Sequence, residues 1–388
     1  MLHAPGIESL TLGGELRLRL ESRDAFPPTT AGSSQTTQLG RIRLNLDARM
    51  NDQFGAFVEL QESIVNQGSV DGNGEVHQAY GSWTNALEGL DIVVGRMELD
   101  YGLGRQVSSF DWINTGYAFD GALVGWTSSD RVFSVDAFWT EAVLGQGGGA
   151  ANEDLGGLVI EVAPEWEANI DFEVYGFKRR NPAAGLDDLT LGVLAMGDYS
   201  GGGEGILWNA EFATQSGDHA GGALDAAGTM FDVAAYYRFD GGFMVGAGIG
   251  ISSGDDNGAD SDQSTFIRLY PDDHSFNGLQ DIVVNQNLTD IRVDAMLPLD
   301  GDNWELYGAV HLLSQTEKTD AVYTGMGGGV VVNNPGDDSI GTEIDLTLRG
   351  NLSEQVDLYV GLGQFSAGDG IVSSDDQLWL FAQVAFYF

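Results

Sequence analysis

Hydrophobic and polar positions alternate with a period of two along almost the whole chain. In ESLTLGGELRLRLES, Leu10, Leu12, Gly14, Leu16, Leu18 and Leu20 share one parity; Thr11, Gly13, Glu15, Arg17, Arg19 and Glu21 share the other. GRIRLNLDARM sets Ile42, Leu44, Leu46 and Ala48 against Arg41, Arg43, Asn45, Asp47 and Arg49. NLTDIRVDAML sets Ile291, Val293 and Ala295 against Asp290, Arg292 and Asp294. GTEIDLTLRG sets Ile344, Leu346 and Leu348 against Glu343, Asp345, Thr347 and Arg349. In a strand the two parities face opposite ways. No helical period of 3.6 competes over a comparable length. The final stretch, QLWLFAQVAFYF, places Leu378, Leu380, Ala382, Val384, Phe386 and Phe388 on one wholly apolar face. That face suits lipid, and it would also suit the core of a sandwich.

Spacing decides between the two. The pattern predicts about eighteen strands close to the 9–11 residues of a membrane span. They are 9–22, 37–50, 54–65, 75–85, 90–99, 118–127, 131–141, 154–163, 166–178, 188–198, 205–215, 228–239, 242–252, 286–297, 303–315, 338–349, 355–366 and 376–388. Short connections such as MNDQ, SSD, APE, DGG, LDGDN and NLSEQ alternate with long ones at 23–36, 100–117, 142–153, 253–285 and 316–337. A sandwich has no reason to sort its loops by length. A barrel in an outer membrane does, with short periplasmic turns and long extracellular loops. The expected fold is therefore all-β: one transmembrane antiparallel up-and-down barrel over residues 1–388. An even strand count returns both termini to one rim, where the first and last strands can pair. Trp166, Phe239, Phe243 and Phe386 fall near strand ends and fit an interfacial girdle.

Composition sharpens this. The 388 residues carry 17 Lys+Arg against 58 Asp+Glu, a formal charge of −41. Such acidity excludes nucleic acid as a partner, since phosphates need a basic surface. There is no cysteine, hence no disulfide framework. Mean hydropathy is −0.09, as expected when lumen-facing residues are polar. No apolar run approaches the roughly 20 residues of a membrane helix. MLHAPGIES has neither the basic start nor the apolar stretch of a signal peptide.

Residues 94–121 read VGRMELDYGLGRQVSSFDWINTGYAFDG. This segment resembles the alginate-export family of bacterial outer-membrane barrels, which carry Gly-Arg-x-x-x-x-Tyr-Gly, a following Arg, and a Trp-x-Asn…Phe-Asp-Gly run. The matching residues are Gly95, Arg96, Tyr101, Gly102, Arg105, Trp112, Asn114, Phe119, Asp120 and Gly121. The resemblance implies an 18-stranded monomeric barrel that passes solutes across the bacterial outer membrane. The terminal phenylalanine resembles the signal read by the barrel-assembly machinery. Two departures stand out. Gly116-Tyr117-Ala118 occupies the place where the family often has an arginine, and the short NLSEQ turn leaves no room for the plugging turn of the alginate exporter.

The inward parity supplies the candidate chemistry. Its bases are Arg17, Arg19, Arg41, Arg43, Arg49, Arg96, Arg238, Arg292 and Arg349, with Arg105 from a loop. Its acids include Glu15, Glu59, Glu98, Asp136, Asp171, Glu173, Asp290, Asp294, Glu343 and Asp345. An arginine wall facing acidic residues gives a transverse field suited to small polar solutes, whereas a conduit for a polyanion should be net basic. Cross-strand Arg–carboxylate ladders that stiffen the wall account for any single residue equally well. Loop 100–117 is too long and too aromatic for a plain tip; Arg105, Asp111 and Trp112 are its candidates for lining a constriction, the alternative being that the loop merely caps the rim. The acidic extracellular loop 253–285 clusters Asp255, Asp256, Asp260 and Asp262, hard oxygen ligands that suit calcium or simple solvation. No cofactor is required, and no nucleophile, zinc or phosphate-loop motif points to an enzyme. The expected function is an outer-membrane channel for passive diffusion of small hydrophilic solutes, in contact with lipid and lipopolysaccharide. The alternatives are an exporter of an anionic polysaccharide such as alginate, a calcium-dependent surface-layer anchor, and a soluble acidic binding protein.

Overall fold

The computed structural model describes residues 6–26, 33–65, 69–143, 153–164, 169–299, 303–325, 330–331, 334, 336–371 and 376–388. Twenty strands join in one hydrogen-bonded sheet. Two are short loop segments, Leu224–Ala226 and Asp262–Gln263, which pair in parallel with each other. The other eighteen (20 − 2) form the wall. In chain order they are β1 Ser9–Phe26, β2 Ser33–Arg49, β3 Phe54–Val65, β4 Ser69–Leu87, β5 Leu90–Met97 and β6 Phe119–Thr127. Next come β7 Phe133–Ala142, β8 Asp154–Val162, β9 Ile170–Asn181, β10 Leu186–Asp198, β11 Gly205–His219 and β12 Thr229–Arg238. The last six are β13 Met244–Ser252, β14 Leu288–Leu299, β15 Trp304–Gln315, β16 Ser339–Ser353, β17 Val356–Ala367 and β18 Gln377–Tyr387.

Every wall strand pairs antiparallel with its neighbours in the wall. β1 then pairs with β18, from Glu15 opposite Tyr387 to Arg23 opposite Trp379, and the sheet closes. Closure leaves no edge whose backbone groups would face lipid unpaired. Each expected span falls on one of these strands. The upper ends run further than expected: β1 continues to Phe26, β2 starts at Ser33, and β4 covers Ser69–Leu87. Beyond the hydrocarbon both faces of a strand meet water, so alternation fades while the ladder continues.

The wall is inside out relative to a soluble protein. Leu18, Leu20, Ile42, Leu44, Leu46, Ile291, Val293, Leu312, Ile344, Leu346, Leu378 and Leu380 are exposed on the exterior. Their neighbours of opposite parity, Arg17, Arg19, Arg41, Arg43, Asp290, Arg292, Glu343, Asp345 and Trp379, are buried. At the short-turn rim Phe54 stacks on Trp83 at 5.4 Å and Phe239 on Phe243 at 5.5 Å. Phe386 is exposed on the last strand, and Trp166 lies outside the described residues.

The apolar core sits inside the barrel, between the wall and two long in-folded loops. One cluster packs Leu99, Val107, Phe110 and Tyr117 of the loop after β5 against Phe119, Phe138 and Phe177 of the wall, with Phe266 and Tyr270 of the loop after β13. A second gathers Ile282, Val283, Leu288, Val322, Ile340 and Phe365. Loop 253–285 therefore departs from its expected place outside the barrel. Residues 253–264 are intermediate to exposed throughout; most of 265–284 is buried in the lumen. Apolar and aromatic residues from Phe266 onward drive that entry by removing surface from water.

Ile291 stands mid-strand on the exterior, opposite Ile249 and Leu312. Ile291→Arg should lower folding stability by about 2–4 kcal/mol in lipid vesicles, measured by urea titration, while Ile291→Leu stays near zero.

Candidate functional site

The site begins with an arrangement that should repel itself. On the inner face Arg17 of β1 lies directly opposite Arg41 of β2, and Glu15 opposite Arg43. Like charges in register are destabilising unless each is paired. Glu15 takes Arg41 at 2.8 Å, but the main partner is Asp111, at the tip of loop 98–118. Its carboxylate lies 2.8 Å from Arg41, 3.0 Å from Arg43 and 3.4 Å from Arg17. Burial alone would raise the Asp111 carboxyl; the guanidiniums of Arg41, Arg43 and Arg17 override it and hold the group below the usual carboxylate range. Backbone completes the anchor. Arg17 donates to the carbonyls of Asp111 at 2.6 Å and Ile113 at 3.0 Å, and Arg19 donates to that of Trp112 at 2.8 Å.

The same loop is tied to the far wall. Arg105 donates to Asp232 of β12 at 2.8 Å, and Asp232 also receives both arms of Arg292 at 2.8 and 2.9 Å. All three side chains are buried. Room for this clamp comes from β13, whose inner parity is Gly246, Gly248 and Gly250. A Cβ on Gly248 would lie 2.8 Å from the Arg292 guanidinium carbon. Loop 98–118 is thus strung across the bore, from the arginine wall to the β11–β14 wall.

A second loop braces it. Val107 bridges in parallel to Tyr270; Ser108 N donates to Tyr270 O at 2.8 Å and Tyr270 N to Gln106 O at 2.9 Å. The Trp112 ring stacks on His274 at 3.8 Å with planes 3° apart, and the Arg19 guanidinium lies 3.8 Å from the Trp112 centroid. Backbone amides of Leu279 and Gln280 donate to Asp345 at 3.2 Å and Glu343 at 2.8 Å. Together the loops make a septum with His274 and Ser275 bordering an opening on either side. One opening, about 180 Å³, is lined by Arg105, Asn209, Tyr236, Asp294, Tyr307 and His311. The other, about 240 Å³, is lined by Glu15, Arg17, Asp111, Trp112, Arg349 and Tyr359.

The remaining candidates distribute as follows. Glu59 and Glu98 approach Arg43 at 3.6 and 3.5 Å. Asp136 accepts from Tyr101 Oη at 3.3 Å, and Glu173 lies beside Gly102. Asp290 holds His311 at 3.0 Å. Asp171, Arg49 and Arg238 lie toward the short-turn end: Asp171 is exposed, Arg49 pairs with Asp47 at 3.2 Å, and Arg238 donates to Ser200 at 3.2 Å. Arg96 is a correction. It shares the parity of exposed Val94, so it faces outward and forms a bidentate pair with Asp120, 2.8 Å for each arm. The expectation failed because Ile92, Val93 and Val94 are consecutively apolar and do not choose a face.

The other motif residues frame the septum. Gly95 and Gly121 sit opposite each other. The Tyr101 ring stacks on Phe138 at 5.4 Å, Asn114 donates to the carbonyls of Gly40 at 3.1 Å and Ile64 at 3.3 Å, and Phe119 meets Tyr270 edge-on at 5.1 Å. Asp255 and Asp260 accept from backbone amides of their own loop, at 3.1 Å from Asn257 and 2.9 Å from Asp262. Those two and their neighbours Asp256 and Asp262 form no convergent ligand set among the described residues; the one such set is Glu59, His77 and Glu98. His77, Tyr270 and His274 were not expected in the site. The glycine alternation of β13 was a readable sign that something large leans on that strand.

A family model described as alginate export matches residues 8–379. No curated protein matches the chain. Among solved structures, OccK5 (OpdH) of Pseudomonas aeruginosa aligns with TM-score 0.71 and 12% identity over 99% of this chain and 100% of its own. The outer membrane protein OprD of the same organism gives TM-score 0.68 and 11% identity over 99% and 95%. OpdQ gives 0.70 and 10% over 98% and 99%.

Asp232→Ala would strip the buried Arg105 and Arg292 of their shortest carboxylate bonds, leaving only the long contacts to Glu211 at 3.5 Å and Asp290 at 3.9 Å. It should cost about 3–5 kcal/mol in urea titrations and speed proteolytic cleavage within 98–118.

Proposed function

This chain belongs to the alginate export family of bacterial outer-membrane barrels, and we propose that it is a channel through which small hydrophilic solutes diffuse passively. Its place is the outer membrane, with lipid against the exterior wall. The observation that carries the reading is the septum: it narrows the bore, yet its charges are already paired. Arg17, Arg19, Arg23, Arg41, Arg43, Arg105 and Arg292 each have a carboxylate partner. Three charged groups beside the openings are left over. Among the described residues Arg349 has no ion pair and lies 6.0 Å from the Tyr359 ring, and neither the Asp294 nor the Asp357 carboxylate has a hydrogen bond or ion pair. Asp294 borders one opening, and Arg349 and Asp357, opposite in sign, border the other. Such a bore favours small polar solutes over a polyanion, which would need a run of uncompensated bases.

The second reading, export of an anionic polysaccharide, is favoured by the family itself. In the channel reading, selectivity comes from bore and lumen charge, and no energy source is needed. The barrel works as a monomer.

In planar bilayers under a salt gradient the reversal potential should lie near zero or lean toward cations. Liposomes bearing the protein should swell in neutral sugars. Strong anion preference without neutral-sugar swelling would instead establish the polysaccharide reading.

A further inference from the structure

We propose that Glu59, His77 and Glu98 form a binding site for a divalent transition cation of the zinc class, at the root of the in-folded loop. One ligand atom from each lies within 4.8 Å of the others. They come from β3, from β4 and from the residue that follows β5. His77 is fully buried and Glu59 nearly so. One imidazole nitrogen and two carboxylate oxygens are a donor set that suits zinc, with a fourth position left for water.

Three observations mark the site as built for a cation other than its present neighbour, Arg43. First, His77 Nε2 lies 2.7 Å from Glu98 Oε1 and 3.1 Å from Arg43 Nη2. That nitrogen cannot donate to the carboxylate and accept from the guanidinium at once. A metal on its lone pair, shared with Glu98, removes the conflict. Second, Glu59 Oε1 is buried and has no hydrogen-bond partner among the described residues. It points toward Arg43 Nε, but at 3.6 Å, beyond hydrogen-bond range. Third, the short bonds of Arg43 lie elsewhere, to Gln61 Oε1 at 2.6 Å and Asp111 Oδ1 at 3.0 Å. Arg43 therefore keeps those two bonds and gives up the 3.1 Å contact to His77 and the longer ones to the glutamates when a metal takes all three. The two carboxylates match the charge of a divalent ion.

The position gives the site a consequence. Glu98 opens the loop that carries Asp111 at its tip, and Gly116 closes the loop over His77 with φ +70°; a Cβ there would stand 3.3 Å from the His77 ring and 3.1 Å from Arg43. A bound metal ties the first residue of the loop to two wall strands and leaves Arg43 to Gln61 and Asp111.

The test is calorimetric titration of the tag-free full chain in detergent with zinc chloride, beside magnesium and calcium. Three variants accompany the wild type: His77→Ala, Glu98→Gln and Arg43→Gln. One zinc equivalent should bind in preference to the alkaline-earth ions. His77→Ala and Glu98→Gln should weaken it by at least the roughly 10–100-fold that second-shell changes cost, with heat-modifiable gel mobility showing that the barrel is folded. Arg43→Gln removes the competing cation and should tighten zinc binding, a change that a purely structural histidine would not produce. The proposal is overturned by the absence of saturable zinc binding, by equal binding in the two ligand variants, or by weaker binding in Arg43→Gln.

Discussion

In hydrocarbon a backbone amide has no water to fall back on, and each unsatisfied group costs several kcal/mol. The ladder between β1 and β18 is therefore the constraint on which everything else rests. Once the sheet must close, its outer parity must be apolar and its inner parity inherits every charge the chain needs near the bore. The loops then gain an enclosed, polar space to fold into. The septum is a product of closure as much as of its own sequence.

Inside that space, charge acts as mortar. Asp111 takes contacts from three guanidiniums, and Asp232 takes both arms of Arg292 together with Arg105. Planar forks allow such sharing, whereas a lysine ammonium offers a point charge. The chain has only Lys178 and Lys318 as lysines, and neither lies among the septum contacts described above. Charges locked into walls hold the loops but leave little field free for solutes. Structure and selectivity thus draw on the same residues, and the groups beside the openings without a partner among the described residues, Arg349, Asp357 and Asp294, carry the remainder.

The wall was legible because a period of two is local: Asp290, Arg292 and Asp294 against Ile291 and Val293 already give the face of β14. Loop length supplied the rims. Length and aromatic content singled out loop 98–118 but did not separate in-folding from a cap on the rim. Its brace was not legible. The stack of Trp112 on His274 and the bridge from Val107 to Tyr270 join segments far apart in sequence, and nothing near either partner announces the other. Arg96 failed for a different reason, since a run of apolar residues in β5 erases the alternation that assigns a face.

The outward turn of Arg96 has a neighbourly continuation. Across adjacent strands it lies level with Asp120, then Glu141, Asp154, Arg180 and Asp187, each opposite the next in register. Apolar side chains such as Val94, Val124, Leu158, Val174 and Leu191 lie below this row on the same exterior. Acyl chains cannot rise past ionised groups without a heavy desolvation cost. The row is therefore a waterline drawn around this side of the hull, and it fixes the draught at which the cylinder floats.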